Sequence, residues 1–227
     1  MRIPMEEVEK EHLHHSKLIC TSCFSIHDIN EVIDEEECIN INEFEDISAI
    51  CPDCSNVGFF LVDEELADIV SKMLKVGLVP EFSCQGGTNF EDEGNSWDSP
   101  YIIFKMPNLT PENEIKFISD LYKYKPQCID LTISHDVGKQ YESFTDMGVE
   151  GLICEADNTR IYLAGEFIDI GDFSEYIEPI ETNFYKLRED HKDKSDQEFV
   201  ETIIDLERQF LINYLEEIVS IYEELNH

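Results

Sequence analysis

Apolar residues recur along the chain with two periods. Phe59-Phe-Leu-Val62 is a short apolar run that reads as a strand. Asp63 follows at an N-cap position, with Glu64 and Glu65 in the first turn, where carboxylates suit the helix dipole. Leu66, Ile69, Val70, Met73 and Leu74 then repeat at helical spacing, and Gly77 stands where a left-handed C-terminal residue belongs. Val79 to Ser83 returns as a strand, Cys84-Gln-Gly-Gly87 breaks it, and Thr88 to Ser99 reads as a polar, acidic loop around Trp97. Residues 100–105 form the next strand. Thr110-Pro111 opens a second helix with a capping hydroxyl and a proline at N1, and Ile115, Ile118, Leu121 and Tyr122 are its expected buried face. Pro126 stops it, and Cys128 to Ile133 reads as a strand.

The order β-α-β-β-α-β predicts an α+β, ferredoxin-like domain, a four-stranded antiparallel sheet with both helices on one face. Further on, 151–154 and 160–164 read as a hairpin that extends this sheet, so the domain is expected over 59–165. Residues 166–227 are expected as an acidic helical segment, with a short helix around Phe173, Tyr176 and Ile177. Ser195-Asp-Gln-Glu198 is a capping box, and about 30 residues of helix follow. Phe199, Ile203, Leu206, Phe210, Tyr214 and Ile218 form its stripe, widened by Leu211, Leu215, Tyr222 and Leu225. Glu201, Asp205, Glu207, Glu216, Glu217, Glu223 and Glu224 are read as its solvated rim. The stripe packs on the sheet or pairs with a second copy, which makes 195–226 the element for any homodimer.

Before residue 59 the periodic signal is weak and cysteine replaces it. Cys20-Thr-Ser-Cys23 and Cys51-Pro-Asp-Cys54 are two CxxC hooks, with 27 residues between them. One tight turn lets each pair present two sulfurs to one ion, and a tetrahedral zinc takes four thiolates. Zinc is therefore the expected cofactor, structural because four protein ligands leave no open position. Cys38 and His27 are spare donors, and His12, His14 and His15 lie in a polar lead. Between the hooks, Ile39, Ile41 and Phe44 alternate with polar residues as a strand would. The hooks resemble those of zinc-ribbon proteins over about residues 18–58, which sets the first domain at 1–58; the likeness implies a metal and no particular task.

The charge narrows the partners. With 16 basic and 51 acidic residues the net charge is −35. A broad nucleic-acid surface and an anionic membrane are both disfavoured, and a basic protein is the attracted partner. No run of 18 apolar residues is present, and the N-terminal residues carry no apolar signal core, so the expected location is the cytoplasm. Eight cysteines without an export signal argue for metal rather than disulfides.

The remaining chemistry sits at the Cys84-Gln85-Gly86-Gly87 turn. Its glycines allow close backbone approach to a ligand. Cys84 is a nucleophile candidate, His135 a base candidate, and Gly86, Gly87 and Trp97 are ligand-binding candidates. No Walker or Rossmann loop, HExxH helix or Ser–His–Asp order is present. The segments Pro80-Glu-Phe-Ser-Cys84, Gly86 and Tyr101-Ile-Ile-Phe104, following the ribbon, are similar to a group of zinc-ribbon proteins of low-GC Gram-positive bacteria and their phages. In that group a histidine often follows the Cys-x-Gly; here it is Gly87. The resemblance implies an origin and no activity.

Three functional readings result. The first is a zinc-stabilised acidic adaptor or inhibitor of a basic host protein, nucleic-acid-binding or defensive, and not an enzyme. The second is an enzyme or binding module for a nucleotide or RNA-derived group at Cys84–Gly87. The third is a structural subunit assembling through its C-terminal helix.

Overall fold

The computed structural model describes residues 15–32, 47–89, 96–135, 159–165 and 188–226. Its class is mixed α+β. The elements are β1 (Ser16–Cys20), β2 (Ile26–Asp28), α1 (Ile29–Val32), β3 (Ile47–Ile50), β4 (Val57–Asp63), α2 (Glu64–Val76), β5 (Pro80–Cys84), β6 (Gly87–Asn89), β7 (Ser96–Asp98), β8 (Tyr101–Lys105), α3 (Pro111–Tyr124), β9 (Ile129–His135), β10 (Thr159–Gly165) and α4 (Asp196–Asn226). The expected strand at 39–44, the polar lead before residue 15, the strand at 151–154 and the short helix near 173–177 lie outside the described residues. No helix among the described residues is long and apolar enough to cross a membrane.

The described residues divide into two compact units. The first holds those of Met1–Ser83, Ile103–Asn108 and Ile133–Ile161; the second holds those of Cys84–Ile102, Leu109–Thr132 and Tyr162–His227.

The strands form two four-stranded sheets, β2-β1-β4-β3 and β5-β8-β10-β9, and a small β6-β7 pair. This corrects the ferredoxin-like order. The strand at 59–62 was expected beside 79–83, 100–105 and 128–133, but it belongs to the N-terminal sheet. There it pairs antiparallel with β1, Leu18 opposite Leu61 and Cys20 opposite Phe59, and with β3. Both partners are strands that lead into a CxxC hook, so the hooks claim β4. Its expected place is taken by β10, an interior strand rather than an extension at the edge. Lys105 N–H donates to Val79 O (3.1 Å), Met106 N–H to Thr159 O (2.8 Å) and Gly165 N–H to Pro100 O (2.9 Å), so β8 runs antiparallel to both neighbours. The expected loop at 88–99 instead carries the β6-β7 pair, with Gly87 opposite Asp98 and Thr88 opposite Trp97.

In the first unit, α2 buries Leu66, Ile69, Val70, Met73 and Leu74 and packs on β1, β2 and β4. Gly77 closes it in the left-handed region (φ 92°): Gly77 N–H reaches Leu74 O and Leu78 N–H reaches Met73 O. At the other end Asp63 holds the N-cap position without a side-chain cap, and Glu64 N–H is taken by His15 O (2.7 Å). Glu81 on β5 bridges Arg160 and Lys105 across the second sheet; Arg160 is buried, and a buried guanidinium needs such a partner.

In the second unit, α3 packs on α4. The cap at Thr110 forms as expected, its hydroxyl accepting from Asn113 N–H (3.3 Å). The buried face differs: Phe117 and Leu121 are buried, while Ile115 and Tyr122 are exposed. The capping box also forms, Glu198 accepting from Ser195 N–H (2.8 Å) and Ser195 Oγ accepting from Glu198 N–H (3.3 Å). The inner stripe of α4 is Phe199, Ile203, Glu207, Leu211, Tyr214, Ile218 and Ile221. Glu207 is thus not on the rim. It is fully buried, its carboxyl laid over Gly165, where a side chain on residue 165 would collide with it. Phe210, expected inside, is exposed.

Candidate metal centre

The two hooks fold alike. Cys20 N–H donates to Ser25 O (3.0 Å) and Phe24 N–H returns to Cys20 O (3.0 Å); Cys51 N–H donates to Asn56 O (2.8 Å) and Ser55 N–H returns to Cys51 O (2.9 Å). Each turn needs a left-handed residue just after its second cysteine, and Phe24 (φ 58°) and Ser55 (φ 62°) take that conformation. Neither is glycine, so the usual sequence mark of such a position is missing. Contacts from elsewhere hold the first loop. Ser71 Oγ on α2 donates to Phe24 O (2.7 Å), and Thr21 N–H donates to Gly58 O on β4 (3.1 Å).

This geometry brings the four thiols together. The Sγ atoms of Cys20, Cys23, Cys51 and Cys54 all lie within 4.8 Å of one another. Cys20 to Cys54 is 3.6 Å and Cys23 to Cys51 is 3.7 Å. A tetrahedral ion with bonds of about 2.3 Å separates its sulfurs by about 3.8 Å, so the set has the size of such an ion. Cys20 and Cys51 are buried, and Cys23 and Cys54 are partly open. They sit on a small core of Leu18, Ile29 and Phe59. The four cysteines can hold a metal ion.

The surroundings favour thiolates unequally. Burial pushes the Cys20 thiol up to about 11. The Ser25 hydroxyl, 3.0 Å from Cys23 Sγ, draws Cys23 below the ordinary thiol range. Burial opposes ionisation of Cys51 as well, but the N–H groups of Cys54 and Asp53 and the Ser25 hydroxyl outweigh it and bring Cys51 to about 5. Cys54 Sγ accepts from Asn56 Nδ2 (3.5 Å). A metal ion would displace the protons that remain, so affinity falls as pH falls.

His27, a spare donor by sequence, is buried beside the cluster. Its Nε2 lies 2.8 Å from Ser25 Oγ and 3.6 Å from Cys51 Sγ. The sequence could flag His27 by type; its place depends on β2 pairing with β1, which sets His27 opposite Leu18.

The Cys84–Gly87 turn has a different environment. Cys84 ends β5, half-buried, and its Sγ accepts from Gly86 N–H (3.4 Å). Gly86 has φ 77°, and a Cβ there would lie 2.7 Å from Asp98 O and 2.9 Å from both Pro100 N and Ile204 Cγ2. Arg208 Nε on α4 donates to Gln85 O (2.8 Å). The close approach that Gly86 permits is thus to the chain itself. Gly87 has open space and begins β6, and Trp97 lies in β7. His135 ends β9, which is one edge of its sheet; β5 is the other edge, with β8 and β10 between them.

No protein-family model, curated protein or solved structure matches the chain.

Proposed function

We propose that the chain is a zinc-stabilised, acidic adaptor or inhibitor that binds a partner protein carrying a basic surface. Four thiolates in a tetrahedron suit zinc among abundant ions, and a closed ligand set gives it a structural task, fixing a zinc-ribbon-like module. The observation that carries the binding reading is the outward side of α4. Asp196, Glu198, Glu201, Asp205, Glu216, Glu217, Glu223 and Glu224 are all exposed along a helix about 46 Å long. Arg208 is the one basic residue on that helix, and it turns back to Gln85 O. Such a ridge, in a chain of net charge −35, attracts a basic nucleic-acid-binding protein and repels a copy of itself. Two outward faces of α4 could not pair without burying carboxylate against carboxylate, so the ridge favours a hetero-partner over a homodimer there.

The test is affinity capture by the zinc-loaded protein, at low salt and then above about 0.1 M, where the Debye length is about 10 Å. A variant with Glu201, Glu216, Glu217 and Glu223 changed to Gln runs beside it. The reading expects a basic partner held at low salt, released by salt and lost in the variant. Equal capture by the variant, or none at low salt, contradicts it.

A further inference from the structure

The metal centre does not end at its four sulfurs. His27 Nε2, Cys51 Sγ and an Asp53 carboxylate oxygen also lie within 4.8 Å of one another. Nε2 is 3.6 Å from Cys51 Sγ and 3.5 Å from Asp53 Oδ2, and it hydrogen-bonds Ser25 Oγ at 2.8 Å, a contact that an ion on Nε2 would replace. A tetrahedral ion with bonds of about 2.0 Å to nitrogen and oxygen and about 2.3 Å to sulfur sets those separations at about 3.5 and 3.3 Å. The match is as good as that of the four sulfurs.

Three features prepare this second donor set. The His27 ring is 8% exposed and stands edge-on to Phe59, with centroids 5.8 Å apart and planes at 88°, so its direction is fixed. Its other nitrogen, Nδ1, faces Glu31 Oε2 at 4.0 Å, and Glu31 is itself held by Asp28 N–H (3.3 Å). Glu31 stands beyond hydrogen-bond distance of Nδ1, on the side from which a carboxylate orients a metal-binding histidine. Charge acts in the same sense. A divalent ion on four thiolates leaves a net charge of −2, and Asp53 and Glu31 add to it at the same spot. A second cation lowers that concentration of negative charge.

We propose that Cys51 is a bridging thiolate, and that His27 and Asp53 complete a second divalent-cation site beside the four-cysteine site. The proposal rests on the metal centre described above. Three protein ligands leave the second ion an open position for water. The second ion is the weaker bound of the two, because Asp53 is exposed and one ligand is shared.

The test is a cobalt(II) titration of the metal-free 227-residue chain, repeated with cadmium and followed by cadmium NMR. The first equivalent should give strong sulfur-to-cobalt charge transfer. The second should add a distinct, weaker ligand-field spectrum, and two cadmium signals coupled through the shared sulfur should appear. Asp53→Ala, at an exposed position, and His27→Ala should each reduce binding from two equivalents to one and leave the first spectrum intact. A wild type that saturates at one equivalent, with both variants unchanged, overturns the second site. So does a single equivalent whose spectrum changes in His27→Ala, which would make His27 a ligand of one ion only. Loss of the charge-transfer band from the first equivalent is a separate result, and it removes the four-cysteine centre and this site together.

Discussion

Substituting alanine at three glycines of the second unit separates three physical causes in one experiment. At Gly165 a Cβ would lie 2.6 Å from Glu207 Cδ, 2.7 Å from Oε2 and 2.8 Å from Cβ. Carbon atoms in contact sit at about 3.5 Å or more, so the Glu207 side chain must move by nearly 1 Å. Its carboxylate end could swing, but its Cβ is fixed to α4, which is anchored by buried Ile203, Ile204 and Leu211. Overpacking of this kind costs about 1–3 kcal/mol. Two of the three contacts are with the carboxyl end of one side chain, so part of the cost should be removable. In a Glu207→Ala background the contacts with Cδ and Oε2 are gone and the 2.8 Å contact with Cβ remains, so the cost of Gly165→Ala should fall only in part, a coupling of about 0.5–1 kcal/mol. Gly86→Ala should be worse and not rescued by Glu207→Ala, since φ 77° is strained for alanine and two of the three colliding atoms are backbone. Gly87→Ala, with nothing within 4 Å, should stay within about 0.5 kcal/mol of wild type. Urea unfolding of the four single variants and of the Gly165–Glu207 and Gly86–Glu207 double variants, followed by α4 helicity, gives all the terms. Additivity at Gly165 and Glu207, or a neutral Gly165→Ala, refutes the packing described for α4.

Tyr214 donates its buried hydroxyl to Leu121 O on α3 at 2.5 Å, and Tyr214→Phe should cost about 1–2 kcal/mol in the same urea assay while keeping the fold. Arg160→Ala should cost about 3 kcal/mol in thermal or urea unfolding, because it leaves the Glu81 carboxylate with Lys105 in place of two cations; replacing both by Leu and Met should recover most of it. The Ser195 N–H and hydroxyl hold the Glu198 carboxyl below the ordinary carboxylate range, so its contribution is complete above that range and is lost as pH falls through the lower folded value. Circular dichroism of α4 during acid titration should show that loss, and Glu198→Ala should remove it.

What could be read from sequence was local. The hooks, the Thr110-Pro111 cap, the Ser195–Glu198 box and Gly77 are each written in a few adjacent residues, and each forms. What could not be read depends on distant partners. The strand at 59–62 looks the same whichever sheet takes it; β1 and β3, leading into the cysteine hooks, decide. In α3, Ile115, Phe117, Ile118, Leu121 and Tyr122 span more than one side of the helix, and only packing on α4 selects Phe117 and Leu121. Glu207 shares the heptad-like stripe of α4, yet a carboxylate reads as surface until Gly165 is seen to leave it room. The four cysteines that come together were legible by spacing. The tetrahedral size, the left-handed Phe24 and Ser55 and the His27–Asp53 neighbours were not, because they follow from strand register and loop closure.

The central claim is that one ion held by Cys20, Cys23, Cys51 and Cys54 fixes the N-terminal sheet. Its most direct test is hydrogen exchange before and after chelation, with metal content measured on the same sample. The account predicts at least one tightly held zinc per chain. It also predicts that chelation removes amide protection from β1 to β4 while α4 keeps its own, and that Cys51→Ser does the same without chelator. Unchanged protection of β1–β4 in metal-free protein would contradict it.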